Sequence, residues 1–351
     1  MIRPLIGVLL LLAAPVRAET LFGAAEAEAE MTLSILSSTD ISAFTPLAEA
    51  FVAATPGSRI IYVEVSTREL YETAMRDCAE GRASADLLIS SAMDLQVALV
   101  NALCAHPVHS PRTDALPDWA SWRDEVFGLT LEPAVLIYNK ALVDPGDVPA
   151  TRFALLDLLR SKPATFYEKV VTYDVADSGI GYLFAFDDAQ RATTFGRLIE
   201  ALGRLNARLE CCAAPMIEGV ASGRYLLAYN VLGSYAAEAA KTDPNIGIVQ
   251  FTDYSIAITR SALIMRHASN IRLAETFLDF TLSAPGQEVL RSVSLLPGDP
   301  GGADGNLRTI ALSPKLLVGL DRQKREDFLN LFFGSFESDV AAPAGSAGAD
   351  R

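Results

Sequence analysis

Residues 32–90 read TLSILSSTDISAFTPLAEAFVAATPGSRIIYVEVSTRELYETAMRDCAEGRASADLLIS. Three short apolar runs lie in this stretch: Thr32–Ser37, Arg59–Val65 and Ala85–Ser90. Between the first two, Phe44, Leu47, Ala48 and Phe51 recur at helical spacing and define one buried face. Pro56-Gly57 ends that helix. Ser66 and Glu69 stand at the spacing of a capping box, so a second helix runs from about Arg68 to Glu80 and stops at Gly81. Ser91–Asn101 continue as a third helix. Strands and helices alternating at this spacing predict an α/β fold around a mostly parallel sheet with right-handed crossovers.

Downstream the pattern breaks and then resumes. Phe127–Lys140 (FGLTLEPAVLIYNK) is extended but contains Pro133. Proline removes a ladder donor, so the run cannot be one central strand. It reads as the chain leaving one lobe for another. A second strand–helix series follows: Phe153–Arg160, Val170–Tyr173, Phe195–Leu205, Ala214–Ser222 and Tyr225–Tyr229. Gly247–Phe251 and Tyr254–Thr259 then carry the chain back, and Ile271–Leu282 and Arg322–Phe333 form the last helices. The expected architecture is two α/β lobes with mixed, mostly parallel sheets joined by a two-crossing hinge. Lobe one takes residues 31–132 and 256–336, and lobe two takes 133–255. The crossings fall near Glu132–Tyr138 and Phe251–Ile256. A chain of 351 residues is long enough for two such lobes.

The ends carry other signals. Arg3, the apolar run Leu5–Ala14, Pro15 and the small residues up to Ala18 match a secretory signal peptide over residues 1–18. The run is too short to span a bilayer comfortably. Residues 19–30 (ETLFGAAEAEAE) show no sustained stripe and read as a flexible leader. Residues 337–351 are rich in small residues and read as a disordered tail. The mature protein is therefore expected to be soluble and periplasmic.

Charge and chemistry narrow the function. Against 29 Lys and Arg stand 43 Asp and Glu, a net charge of −14. Without a basic face to neutralise phosphates, nucleic acid is excluded as a partner. His106 and His109 stand three apart, but Pro107 argues against the helix that would turn both towards one metal. No nucleophile–base pair, G-x-S-x-G elbow or P-loop is visible, so neither an enzyme nor a cofactor or metal is expected; a secreted hydrolase is the weakest of the functional classes. The four cysteines suit an oxidising compartment. Cys78 closes one helix and Cys104 follows the next, which sets both at one end of lobe one, either bridged or as two thiols. Cys211-Cys212 reads either as a rigid vicinal turn beside a ligand or as two packed thiols, with the thiols preferred.

Candidate binding residues cluster where strands run into helices. They are Ser38 and Thr39, Ser90 and Ser91, Asp177, Ser178 and Gly179, and Ser234 with Tyr235. Helix N-termini offer unpaired N–H groups and a partial positive charge, which suit anions. In open α/β sheets ligands sit at the carboxyl ends of strands. Two clusters from each lobe point to a shared interlobe cleft.

Several motifs in order add a family resemblance: TLSILSSTD, ADLLISSAMD, EPAVLIYNKALV, YDVADSGIG, ASGRYLLAYNVLGSY and AETFLDFTLSAPGQEVL. Over residues 31–335 the chain resembles bacterial periplasmic solute-binding proteins of ABC transporters with the type II fold. It looks most like the branch of ferric-iron, phosphonate and hexose-phosphate binders. The resemblance implies hinge closure on a ligand and delivery to an inner-membrane ABC permease. Glu132 and Asn230, within two of these motifs, complete the candidate site. The expected ligand is a small anion, an organic phosphate or carboxylate, bound by a monomer. The alternatives are a ligand-sensing partner of a membrane histidine kinase, or ferric-iron binding. Iron-binding relatives carry two adjacent tyrosines where this chain has Ser234-Tyr235, which disfavours iron.

Overall fold

The computed structural model describes residues 18–296 and 306–337. In chain order, β1 (Glu19–Gly23), β2 (Met31–Ser37), α1 (Ile41–Ala54), β3 (Ser58–Glu64), α2 (Thr67–Ala79), β4 (Leu87–Ser90), α3 (Met93–Asn101), β5 (Ala105–His106), β6 (Ser121–Trp122) and β7 (Val126–Gly128) build the first lobe. The second lobe holds β8 (Glu132–Asn139), α4 (Arg152–Ser161), α5 (Pro163–Phe166), β9 (Val170–Tyr173), α6 (Gly179–Arg191), α7 (Phe195–Arg204), β10 (Arg208–Glu210), α8 (Ala213–Ala221), β11 (Leu227–Leu232), α9 (Gly233–Thr242), β12 (Ile246–Val249) and β13 (Ser255–Ile258). β14 (Ser261–Met265), α10 (Ile271–Leu282) and α11 (Ala284–Ser292) return to the first lobe. β15 (Leu307–Thr309), α12 (Leu317–Leu320) and α13 (Arg322–Glu337) end the described chain.

Each lobe is built on one mixed sheet. The first runs β1-β3-β2-β4-β14-β7-β6 and the second β10-β9-β11-β8-β13-β15. Parallel pairing holds β3 to β2 and β2 to β4, where the strand–helix alternation demanded it. It also holds β10 to β9 and β9 to β11. Strands that enter after a crossing, β8 and β14, pair antiparallel with their neighbours. The first-lobe core stacks Phe44 on Tyr62 and sets Phe51 edge-on to Phe277, so the α1 stripe meets α10 on one face of the sheet.

Three boundaries differ from the sequence reading. Residues 19–23 are a strand: β1 pairs antiparallel with β3 from Glu19↔Val63 to Gly23↔Arg59. The outer edge of β3 would otherwise expose a row of unpaired groups, and Phe22 packs edge-on against Phe44. The crossings lie closer to the first lobe than 132–138 and 251–256. Glu132 and Pro133 already pair with Ile258 and Ala257 inside the second sheet, so the chain crosses at 129–131 and 259–260. β8 is central in that sheet although it holds Pro133, which is accommodated near the strand start, where the pairing with β11 begins only at Ala134. Segment 256–336 is not all lobe one: β15 pairs with β13, and Phe328 and Phe332 of α13 pack in the second-lobe core. Phe328 there meets Tyr182, Phe186 and Phe195, apolar surface that α6 and α7 would otherwise expose. Apart from Ala18 and Glu337, the signal-peptide and tail segments lie outside the described residues.

Cys78 and Cys104, left open by the sequence, are bridged, with Cα atoms 5.4 Å apart. Cys211 and Cys212 are also bridged, to each other, and are exposed rather than packed as thiols.

Candidate functional site

Between the lobes lies a cavity of about 640 Å³. Its lining comes from the helix starts that follow the strand ends. From the first lobe these are the starts of α1 and α2 and the β4–α3 turn. From the second they are the starts of α6, α8 and α9. Local capping shapes these turns. Ser66 accepts a hydrogen bond from the Glu69 amide at 3.2 Å, and Ser178 accepts one from Gly181 at 3.1 Å. Ser38 Oγ accepts from the Ser91 amide at 3.3 Å and so ties two of the loops together.

Of the candidates named from sequence, Ser38, Ser91, Asp177, Ser178 and Tyr235 line this cavity. The others are placed elsewhere. Ser90 Oγ accepts from the Ala92 amide at 3.1 Å and shapes its own turn. The Gly179 amide donates to Thr67 Oγ1 at 3.2 Å, at the contact between the lobes. Asn230 turns into the second lobe, where its side-chain amide donates to Asp188 at 3.2 Å. A bulge in the pairing of β11 with β8 and a φ of +62° at Asn230 account for that turn.

Thr39, Glu132 and Ser234 lie beneath the cavity floor, around Arg260. Arg260 Nε and Nη2 donate to Glu132 Oε1 and Oε2 at 2.8 and 3.1 Å. Arg260 Nη1 donates to Thr39 Oγ1 at 2.9 Å. Thr130 donates to Glu132 Oε1 at 2.8 Å, and Ser234 donates to Glu132 Oε2. The guanidinium lies 4.9 Å from the centre of the Tyr235 ring. Burial alone would lower the Arg260 pKa, but the Glu132 carboxylate more than offsets it and holds the group charged. The guanidinium also meets the Tyr235 hydroxyl, and Arg260 itself lines the cavity. One fully buried ion pair therefore joins the two crossings, both lobes and the cavity.

Tyr173 is a second floor residue that the sequence reading did not place there. It lines the cavity at the end of β9, and its hydroxyl makes no hydrogen bond of normal geometry. Burial raises its pKa well above the usual phenol value, so the group is a neutral O–H donor. Burial likewise raises the Tyr235 phenol, whose oxygen accepts from the Asp40 amide at 3.3 Å. Asp40, Glu64, Glu69 and Asp177 also line the cavity. Glu64 accepts from the Ile41 amide at 2.8 Å, and burial raises its pKa.

The lobes touch on both sides of the cavity. On one side Gly179 meets Thr67, and Arg68 donates to the Ala176 carbonyl. On the other, Ser294 donates to Glu238 at 2.6 Å and Lys241 to the Ser292 carbonyl at 3.4 Å. Among the described residues no group of three or more His, Cys, Asp and Glu side chains is arranged for a metal ion. No described helix is long and apolar enough to cross a membrane.

Residues 33–293 match the sequence profile of the bacterial extracellular solute-binding proteins. The chain belongs to that family. The substrate-binding protein of an ABC transporter from Agrobacterium tumefaciens is 31% identical, with a TM-score of 0.86 over 92% of this chain and 99% of that one. AfuA from Actinobacillus pleuropneumoniae, solved with fructose-6-phosphate, superposes with a TM-score of 0.72 at 14% identity, over 89% and 100% of the two chains. Iron-bound HitA from Pseudomonas aeruginosa gives 0.68 at 18% identity, over 87% and 99%. A comparison with curated proteins gave no match. The fold is thus the type II periplasmic binding fold expected from sequence. The cavity between the lobes of this solute-binding protein lies at the carboxyl ends of β2, β3, β4 and β9.

Proposed function

We propose that this solute-binding protein captures a small anionic solute, an organic phosphate or carboxylate, between its lobes and hands it to an ABC permease. It acts as a periplasmic monomer, by binding rather than turnover. The observation that carries the anion is the cavity floor, where Arg260 and the Tyr173 hydroxyl, a donor without an acceptor, both line the space. A buried donor without an acceptor costs about 1–3 kcal/mol, and an oxyanion at the floor recovers it. Ser38, Ser91, Ser178 and Tyr235 lie within the same cavity. Disulfides fit the periplasm.

The carboxylates of the lining oppose an approaching anion at long range. Affinity therefore comes from short contacts. Four or five charge-assisted hydrogen bonds of about 1.5–3 kcal/mol each, less the cost of association, leave about −8 kcal/mol, a micromolar Kd.

Titration calorimetry against a panel of organic phosphates and carboxylates tests this. At least one should bind near micromolar, and Tyr173→Phe should weaken it about tenfold, or about 1.4 kcal/mol. Binding confined to cations or neutral sugars overturns the anion. Ferric citrate should give no visible charge-transfer band; a band lost in Tyr235→Phe restores iron.

A further inference from the structure

One part of the cavity wall is apolar where the rest is polar. The first-lobe wall presents hydroxyls and carboxylates: Ser38, Ser66, Thr67, Ser91 and Glu64 among them. The second-lobe wall has a polar part, Asp177, Ser178 and the two tyrosines, and beside it an apolar part made of Ile180, Leu232, Ala213, Ala214 and the bridged Cys211–Cys212. Both cysteines are exposed, and Cys212 stands at the cap position before α8, yet its side chain caps no amide there. A disulfide in place of two thiols offers no hydrogen-bond donor. It presents a polarizable, apolar surface, held rigid because the two cysteines are adjacent. Ala213 is buried directly behind it and Met216, one turn on, is fully buried, so the wall is anchored in the core.

We propose that the Cys211–Cys212 disulfide is a solute-contacting wall that sets specificity, so that the solute carries an apolar face, a ring or alkyl segment, as well as its oxyanion. The inference rests on the anion reading above: with the oxyanion on the Arg260 floor, the rest of the solute meets the second-lobe wall. Bare inorganic oxyanions would reach the floor and leave this wall uncovered. Covering apolar surface contributes roughly 25 cal/mol per Å² removed from water.

The test compares inorganic phosphate with phenyl phosphate by calorimetry, on the full chain and on a Cys211→Ala/Cys212→Ala variant. Phenyl phosphate should bind at least tenfold more tightly, and the gap should shrink to about twofold in the variant. Saturating phenyl phosphate should also slow native-state reduction of Cys211–Cys212 by dithiothreitol at least fivefold, read by alkylation and mass spectrometry. Inorganic phosphate should not. The buried Cys104 sulfur of the Cys78–Cys104 bridge provides the internal control, and thermal unfolding confirms that the variant is folded. Equal binding of the two probes, or equal reduction rates with and without phenyl phosphate, overturns the apolar wall while leaving the oxyanion floor standing. Binding of neither probe overturns this inference, and the anion reading falls with it only where no organic phosphate or carboxylate of the panel binds.

Discussion

Asp94 stands second in α3, only 3% exposed, and its Oδ1 makes no hydrogen bond. Burial pushes its pKa up from 3.8 to about 6, against the opposing pull of the helix-start amides and Arg325. The sign of the consequence follows from proton linkage. Between the two values the folded chain holds a proton that the unfolded chain has released, so stability falls as pH rises from about 4 to about 6 and then levels off. The shift corresponds to about 3 kcal/mol at pH 7. Asp94→Asn should match the parent near pH 4 and exceed it at pH 7 by up to that amount, measured by urea unfolding at both values. An equal gap at both pH values would show that Asp94 is not protonated in the fold. Legibility at this scale was uneven. Ser38, Ser91, Asp177, Ser178 and Tyr235 were accessible to sequence reasoning because a polar residue between a strand and a helix has few places to go. Arg260 left a signal too: one charge inside the apolar run IAITRSALIM must be buried with a partner. Its partner Glu132 is 128 residues away, and no local pattern joins them. Asn230 was misplaced because a single bulge reverses which side of the strand it faces.

Elements were the most legible scale wherever burial is one-sided. The α1 stripe of Phe44, Leu47 and Phe51 is buried as its spacing implies, and Ser66 caps α2 as its spacing to Glu69 implies. β1 and α13 were not legible. ETLFG becomes a strand only because β3 has a free edge, and α13 belongs to the second lobe only because α6 and α7 leave room for Phe328 and Phe332. The Cys78–Cys104 bridge links the end of α2 to the segment after α3 and closes a loop with a sequence separation of 26. Constraint of the unfolded chain by such a loop contributes about 3.5 kcal/mol in the chain-entropy model. Cys78→Ser/Cys104→Ser should lower the free energy of unfolding by about that amount in denaturant titrations. A change below about 1 kcal/mol would mean that the unfolded chain is already compact between these residues.

At the scale of the whole molecule, the two crossings at 129–131 and 259–260 lie side by side, hydrogen-bonded from the Leu129 amide to the Arg260 carbonyl at 2.8 Å. A hinge so narrow permits closure with few torsions changing. Solute that touches both lobes favours the closed state by its differential affinity for that state. Gly179 is where this can be tested without touching the hinge. Its backbone has no left-handed φ, and it begins α6, so a side chain is conformationally acceptable there. A Cβ would nevertheless fall 2.7 Å from Thr67 Oγ1 and 3.2 Å from the Ala92 Cβ, both on the opposite lobe. Gly179→Val therefore wedges the closed state and leaves the open one untouched. By small-angle scattering, the parent chain should contract when a bound organic phosphate reaches saturation. The variant should contract less, bind about a hundredfold more weakly, a loss of about 2.7 kcal/mol, and unfold at an unchanged temperature without solute. A variant that contracts and binds like the parent would place the closing contact elsewhere than Thr67–Gly179. A parent chain whose radius of gyration ignores saturating solute would make the molecule a rigid body and the crossings a fixed joint.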